Sequence, residues 1–170
     1  MTEDRSPMDQ AIKDTNIKIG KYLTFSLADE EYGIGILKVK EIIGMMPITS
    51  VPRTPQFVKG VINLRGKVIP IVDLRAKFGM ESIPYTERTC IIVVEIDSND
   101  ATVLIGIVVD AVSEVLNIHG DEIEDTPAFG THLDTEYIMG MAKMEGGVKI
   151  LLNIDQVLSS KEIQNLQGVM

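Results

Sequence analysis

The residues that most often carry metal and nucleophilic chemistry, histidine and cysteine, are few in this chain and stand far apart. His119 and His132 are the only histidines, and Cys90 is the only cysteine. Zinc sites need several such ligands at short spacings, and neither an HExxH nor a CxxC motif is present. Cys90 opens the apolar run 90–94 and is predicted to be a buried small hydrophobic residue. The sequence therefore predicts no metal site and no intramolecular disulfide.

Motifs for cofactor binding and covalent catalysis are incomplete or missing. Gly33 and Gly35 begin a GxG sequence, but the third glycine of a dinucleotide-binding turn does not follow. Residues 97–100 begin like a calcium loop, but Ala101 and Thr102 replace a ligand and the required glycine, so we expect the polar tip of a hairpin. Neither a phosphate-binding GxxxxGK loop nor a GxSxG elbow is present. We expect no cofactor and no catalytic residue, and a binding module rather than an enzyme.

The clearest recognition chemistry lies in the stretch 60–74, which places Arg65 between an apolar segment and a β-rich segment. Asn63 and Gly66 flank this arginine, and both residue types favour tight turns because they tolerate positive φ. Such an arginine either serves recognition or is simply solvated. An ion pair with Glu41 would shape a docking surface more than it would stabilise the fold. The next strand contains Pro70, which cannot donate a ladder hydrogen bond, so we expect this strand at a sheet edge or at a bulge.

Composition and charge exclude several classes of partner. The chain has 170 residues, 45% of them hydrophobic, no tryptophan and a net charge of −9. Nucleic-acid binding needs a basic face, and an acidic surface also disfavours docking on anionic lipid. No stretch approaches the roughly 18 apolar residues of a membrane span, and the N-terminus lacks the apolar region of a signal peptide. We expect a cytosolic protein with an aliphatic core, without nucleic-acid binding or membrane insertion.

An internal repeat predicts two similar β-rich halves. Residues 33–43 align without gaps with residues 106–116 at an offset of 73, and Gly, Ile, Val and Glu recur in place. At an offset of 80, a second set of matching residues comprises Gly60, Gly66, Val68, Asp73 and Leu74 with Gly140, Gly146, Val148, Asn153 and Ile154. We expect halves at about 20–85 and 86–158, each with about five short strands. Halves of this size should share an apolar seam, where a groove can form.

Local patterns predict the elements of the first half. Residues 1–17 are polar and are predicted to form a mobile tail, followed by strands at 22–27 and 32–36. The segment 37–43 is compatible with a strand or a short helical turn. The segment 49–55 should be extended because each proline disfavours the α conformation of the residue before it. Residues 56–62 are predicted to form a short helix.

The C-terminal segment is predicted to be helical. Apolar residues at 154, 158, 163 and 166 form one helical stripe, and Ser159 and Glu162 have the spacing of a capping box. We expect residues 159–170 to form a helix and tail that pack on the body rather than bind a partner.

At these residues the sequence resembles the CheW-type chemotaxis coupling proteins. The resemblance covers about residues 18–160 and rests on five motifs in order: EEYGIGILKVKEI (30–42), TPQFVKGVINLRG (54–66), VIPIVDLR (68–75), GIVVDAVSEVL (106–116) and TEYIMG (135–140). One departure is Ala111, where the family often has glycine. It adds only a methyl group, which should not abolish the resemblance but can alter contact at the groove.

The resemblance implies a mainly all-β fold of two five-stranded SH3-like barrel subdomains around a shared core, with short helices. It implies an adaptor that joins the cytoplasmic tip of methyl-accepting chemoreceptors to the regulatory domain of the chemotaxis histidine kinase. That kinase domain has the same kind of fold, so the two can pair barrel to barrel. A free monomer in the cytoplasm would be recruited to membrane-bound receptor arrays. An adaptor serving a sensory kinase outside chemotaxis stays open as the alternative.

The resemblance also implies two sets of contact residues. The receptor-contact positions carry over to a groove between the halves, formed by Val39, Glu41, Arg65, Val112 and Val115. The kinase-contact positions carry over to a segment of the first half that includes Gly44, Met45, Ile48, Val51 and Pro52. A second ring contact is expected on the other half.

Overall fold

The structure, a computed structural model, describes residues 20–98, 101–125 and 137–169. The predicted tail 1–17 and His132 lie outside the described residues. The strands are β1 (Gly20–Leu27), β2 (Glu30–Gly35), β3 (Val39–Gly44), β4 (Val58–Leu64), β5 (Lys67–Asp73), β6 (Cys90–Ser98), β7 (Ala101–Val109), β8 (Ala111–Ile118), β9 (Ile123–Glu124), β10 (Ile138–Met144) and β11 (Gly147–Leu152). The α-helices are α1 (Leu74–Lys77), α2 (Ile154–Val157) and α3 (Ser160–Val169), and 3-10 turns occupy Ile36–Lys38 and Gly120–Glu122.

The strands form two sheets, which confirms the predicted mainly all-β fold. The first sheet has five strands in the order β3-β6-β7-β5-β4, and the second has six in the order β8-β1-β2-β11-β10-β9. The hairpin β1–β2 from the first sequence half lies in the second sheet, and the hairpin β6–β7 from the second half lies in the first sheet. The sheets therefore differ in strand content from the sequence ranges 20–85 and 86–158, because the two halves exchange a hairpin.

The first sheet curls until its two edges meet. Thr49, which follows edge strand β3, exchanges two backbone hydrogen bonds of 2.9 Å with Val61 on edge strand β4. Gly60 permits this approach, since its φ is +141° and a Cβ there would lie 2.0 Å from the Thr49 carbonyl oxygen. The repeat-related Gly140 has the same role in the second sheet, where a Cβ would lie 2.9 Å from the Glu124 carbonyl oxygen. The repeated glycines thus mark two equivalent close contacts, at the closing contact of the first sheet and between the neighbouring strands β9 and β10 of the second.

The repeated pair Asp73 and Asn153 ends each half in the same way. The Asp73 side chain accepts hydrogen bonds from the first backbone N–H groups of α1, and Asn153 caps α2 similarly. Their own N–H groups donate to Phe57 and Tyr137 carbonyls, both at 2.8 Å. Each residue therefore caps a short helix directly after the last long strand of its half.

Three buried clusters form the core. The largest combines residues of both sheets, such as Phe25 of β1 and Val94 of β6, with Ile163 and Leu166 of α3. Each smaller cluster belongs to one sheet and includes Ile71 in the first and Leu151 in the second. The predicted apolar seam is this shared cluster. Burial of aliphatic area on this scale is the main stabilising term of the fold.

Four local predictions need correction. The helix predicted at 56–62 is wrong, because Val58, Gly60 and Ile62 face the interior at strand spacing and pair with β5. Residues 49–55 are not extended throughout, since the chain turns at 52–53 and Arg53 has φ of +62°. Cys90 is half-buried rather than buried, and burial raises the pKa of its thiol against the effect of a hydrogen bond from the Val112 backbone.

Of the two alternatives predicted from Pro70, a sheet edge or a bulge, the edge position of the strand is wrong. Strand β5 lies between β7 and β4. Its pairing with β7 begins only at Ile71, so the missing N–H of Pro70 interrupts no bond to that neighbour. The adjacent bulge lies in the partner strand, between Val58 and Gly60.

The C-terminal helix has the predicted capping box. The Ser159 N–H donates to Glu162 Oε1 at 2.7 Å, and the Glu162 N–H donates to Ser159 Oγ at 3.1 Å. Of the predicted stripe, Ile154 lies in α2, Leu158 directly follows that helix, and Ile163 and Leu166 lie in α3, each 2% exposed. Lys77 Nζ also contacts both Glu162 carboxylate oxygens, at 2.9 and 3.0 Å. The helix therefore packs on the body as predicted.

The contacts of the Glu162 carboxylate predict that the stability of the fold depends on pH. Burial alone would raise the pKa of Glu162, but the Ser159 N–H and Lys77 outweigh it and lower that pKa from its ordinary value near 4.5. A carboxyl with a lowered folded-state pKa stabilises the fold fully above its ordinary pKa, and the contribution is lost as pH falls through the lowered value. We expect Glu162→Gln to reduce the free energy of unfolding by about 1 kcal/mol at pH 7. Below pH 4.5, this free energy should fall less steeply with decreasing pH in the variant than in the wild type.

Urea unfolding measured from pH 7 down to pH 3 checks this expectation. The exposed Glu145, in the turn between β10 and β11, supplies the matched control Glu145→Gln. An identical pH dependence for the two variants would show that Glu162 does not carry the effect.

Candidate protein-binding site

Arg65 occupies a two-residue hairpin turn. Leu64 pairs with Lys67, so Arg65 and Gly66 form the turn between β4 and β5. Their φ angles are +50° and +87°, and the Gly66 N–H donates to Asn63 Oδ1 at 2.9 Å. Positive φ at both central residues is typical of the tight turn that matches strand twist, and glycine or asparagine is the usual choice there. An arginine in this conformation strains the backbone, which favours a role for its side chain.

The Arg65 guanidinium is held by Glu41 on edge strand β3. Its Nη1 donates to Glu41 Oε2 at 3.0 Å, and Nη2 pairs with Oε1, so the contact is bidentate. This hydrogen bonding lowers the pKa of Glu41 and raises that of Arg65. The Arg65 side chain is 70% exposed and that of Glu41 is 31% exposed. Because water screens an exposed pair, its main effect is to fix the orientation of the guanidinium.

This pair lies in an open cleft of the first sheet, with a volume of about 810 Å³. Val93 and Leu104 line its apolar part, and Lys40 pairs with Glu95 at 3.0 Å on its rim. An apolar surface bordered by oriented charges suits a protein segment with matching polar groups. Within the described ranges, no group of three or more histidine, cysteine, aspartate or glutamate side chains is placed to hold a metal ion.

The structure distributes the five predicted groove residues over two edge strands and one turn. Val39 and Glu41 lie on β3, at the edge of the first sheet, and Val112 and Val115 lie on β8, at the edge of the second. Val39 and Val112 are partly buried against the shared core. Val115 is 50% exposed. Of the five, Glu41 and Arg65 line the cleft together, and the three valines lie outside it.

The predicted kinase-contact residues follow β3. Gly44 ends that strand and is exposed, whereas Met45 and Ile48 are partly buried against the core cluster of the first sheet. Val51 is partly buried and Pro52 is exposed. This segment therefore contributes inward side chains and an outward surface next to the closing contact at Thr49.

The exposed apolar residues include two repeat-related pairs, in which only Val115 belongs to the predicted set. Ile42 is 45% exposed and its repeat partner Val115 is 50% exposed, while Val68 and Val148 are both 49% exposed. Leu37, in the 3-10 turn before β3, is 90% exposed. Exposure was not predicted for four of these residues: Leu37, Ile42, Val68 and Val148. The signal was present, since the repeat aligns Ile42 with Val115 and Val68 with Val148.

The comparisons with known proteins identify the family. The CheW-like domain matches residues 21–162. The chain belongs to the CheW-like family. It is 42% identical over 149 residues to the chemotaxis protein CheW of Klebsiella aerogenes, covering 88% of this chain and 87% of that protein. It is 37% identical to the chemotaxis protein CheW of Rhizobium meliloti, covering 82% and 88%.

A solved structure agrees with this assignment. The scaffolding protein TtCheW from Thermoanaerobacter tengcongensis matches with a TM-score of 0.74 and 38% identity, covering 85% of this chain and 97% of that one. The resemblance seen in the motifs is thereby confirmed. The predicted SH3-like fold is confirmed as well, and so is the prediction of a scaffold protein of chemotaxis signalling rather than an enzyme. None of the helices in the described part of the chain is long and apolar enough to cross a membrane.

Proposed function

We propose that this CheW-like protein couples the cytoplasmic tip of methyl-accepting chemoreceptors to the regulatory domain of the chemotaxis histidine kinase. The observation that carries the proposal is Arg65, an arginine in a strained turn whose guanidinium Glu41 orients at an open cleft. Membership of a scaffold family supports a partner on each side of the protein. It acts in the cytoplasm as a free monomer and is recruited to receptor arrays at the membrane.

The receptor binds between β3 and β8 in this proposal. Val39, Val112 and Val115 supply apolar contacts, and Arg65 anchors a carboxylate or carbonyl of the receptor helix hairpin. Two of its five N–H donors are bonded to Glu41 and the side chain is 70% exposed, so further donors are available to a partner. An oriented donor of this kind loses little freedom on binding.

The kinase regulatory domain binds the segment 44–52 after β3. Its exposed residues include Gly44 and Pro52, and Thr49 of the same segment makes the contact that closes the first sheet, so this surface has a rigid support. Signals pass because the protein binds the active and inactive states of its partners with different free energies. Individual contacts are weak, and array assembly supplies avidity.

Isothermal titration of the protein with a receptor cytoplasmic fragment and, separately, with the kinase regulatory domain tests the proposal. We expect binding to both, and each partner should leave the site for the other available. A protein that binds neither fragment would refute the coupling function, and one that binds only the regulatory domain of a sensory kinase outside chemotaxis would favour the alternative adaptor.

A further inference from the structure

The chain crosses between the two sheets at two repeat-related places. Ile36–Lys38 joins β2 of the second sheet to β3 of the first. Asp110 joins β7 of the first sheet to β8 of the second. Each crossing stands directly before a strand that carries proposed receptor contacts. Each also carries a charged side chain bonded to residues far away in the sequence.

The first crossover cluster consists of Lys38, Asp97 and Asp155. Lys38 Nζ contacts Asp155 Oδ2 at 2.8 Å and Asp97 Oδ2 at 3.2 Å. Asp155 Oδ1 also accepts the backbone N–H of Asp97 at 3.0 Å. The Lys38 and Asp155 side chains are 27% and 25% exposed. The cluster joins the crossing to α2, which follows the second sheet, and to β6 of the first sheet.

The second crossover cluster consists of Ala28, Arg75, Glu81 and Asp110. Arg75 Nε and Nη2 donate to the two Asp110 oxygens at 2.8 and 2.7 Å, and Nη1 donates to the Glu81 carbonyl at 2.9 Å. Asp110 Oδ2 accepts the N–H of Ala28 at 2.8 Å, and Ala28 has φ of +55°. The Arg75 and Asp110 side chains are 13% and 22% exposed. This cluster joins its crossing to α1 and to the β1–β2 turn of the second sheet.

The two crossover clusters share one design with reversed charge. Arg75 and Asp155 are repeat partners at the offset of 80, and each pairs with the charged residue of a crossing. In both clusters the carboxylate also accepts a backbone N–H from one of the exchanged hairpins, β6–β7 for Asp155 and β1–β2 for Asp110. The same geometry occurs in both halves although the charges are reversed. This indicates that the ion pair serves to connect the crossing to the neighbouring helix, whichever partner carries the positive charge.

We propose that the two crossover clusters are positioning sites that fix β3 relative to β8 and so set the separation of the two walls of the receptor groove. The identity of the groove's ligand rests on the proposed function, whereas the separation of the walls does not. The Asp97 side chain is 67% exposed, but the pairs Lys38–Asp155 and Arg75–Asp110 are well covered. Removing one partner of such a pair leaves the other poorly solvated and unpaired. Loss of a cluster therefore releases one crossing and lets the adjoining edge strand move.

Spin labels on the two walls measure this separation directly. Cysteines introduced by Lys40→Cys on β3 and Glu114→Cys on β8, in a Cys90→Ser background, would carry the labels for double electron–electron resonance. We expect Asp110→Asn to broaden the distance distribution and to weaken binding of the receptor fragment about tenfold, with kinase-domain binding changed less than about twofold. The exposed pair Lys143–Glu124, at 2.8 Å, supplies the control Lys143→Gln, which should change none of these values.

Further variants separate positioning from simple loss of structure. Lys38→Gln, at the more exposed first cluster, should broaden the same distances if Asp110→Asn does not fold. The double variant Asp110→Asn with Arg75→Gln should lose no more receptor affinity than the larger single effect, since the pair acts as a unit. Equal loss of both partners would indicate a merely structural role and overturn the proposal.

Two outcomes keep this inference distinct from the proposed function. An unchanged distance distribution in Asp110→Asn and Lys38→Gln would overturn the positioning proposal whatever happens to binding, and so would a broadened distribution with unchanged receptor affinity. If the wild-type protein binds no receptor fragment, the proposed ligand is wrong. The distance distributions then still decide whether the crossover clusters set the separation between β3 and β8.

Discussion

Replacing Arg65 by alanine is expected to weaken binding of the receptor fragment by about tenfold or more, while the kinase regulatory domain binds as before. The variant loses the donors that Glu41 orients at the cleft and leaves the buried clusters untouched. Because the side chain is 70% exposed, little of the fold depends on it. Titration calorimetry with each partner measures the two affinities on the same preparation.

Asparagine at this position makes the test sharper. Asparagine tolerates the φ of +50° better than arginine does, so Arg65→Asn should raise the melting temperature by about 2–5 °C and still lose receptor binding. Stability and binding then change in opposite directions, which excludes unfolding as the cause of the lost affinity. Unfolding of Arg65→Ala, or equal loss of both partners, would contradict the assignment of Arg65 to the receptor.

Gly60→Ala is expected to destabilise the protein by about 3 kcal/mol or more. The new Cβ would lie 2.0 Å from the Thr49 carbonyl oxygen, and φ of +141° is strained for any residue with a side chain. Relief of the clash requires the closing contact between Thr49 and Val61 to open, which frees both edges of the first sheet. Urea unfolding followed by circular dichroism gives the free energy.

Gly35→Ala is the matched control for this variant. Gly35 has no atom within 4 Å of an added Cβ and its φ is −57°, so alanine fits there and should change stability by less than about 1 kcal/mol. Gly140→Ala should fall between the two, since its Cβ would lie 2.9 Å from the Glu124 carbonyl. Equal stability of Gly60→Ala and Gly35→Ala would mean that the first sheet does not depend on this closure.

The sequence predicts those features of the fold that depend on local chemistry. The Arg65 turn follows from Asn63 and Gly66, and the cap of α3 follows from Ser159 and Glu162. The segment 56–62 was misjudged because its helix-compatible composition says nothing of the partner strand β5 that makes it a strand. The hairpin exchange has no local signal either, since the repeat aligns β2 with β7, and either of their hairpins could pair with β8.

In the candidate site, too, local features can be predicted from the sequence, whereas contacts between distant residues cannot. The Glu41–Arg65 pair follows from charge and turn position, and the repeat aligns the exposed pairs Ile42–Val115 and Val68–Val148. Leu37 was missed because an apolar residue directly after Ile36, in a segment compatible with a strand, suggests burial, whereas the 3-10 turn directs it outward. The crossover clusters join residues distant in sequence, such as Arg75 and Asp110, so only tertiary structure brings them together.

The most direct test of coupling is whether this protein joins its two partners in one complex. A sedimentation velocity experiment would mix differently labelled receptor fragment and kinase regulatory domain, first alone, then with wild type, then with Arg65→Ala. We predict that the two labels sediment together only with wild type, and that Arg65→Ala retains the kinase domain but not the receptor fragment. Labels that sediment separately in the presence of wild-type protein, at concentrations where each binary complex forms, would contradict the coupling function.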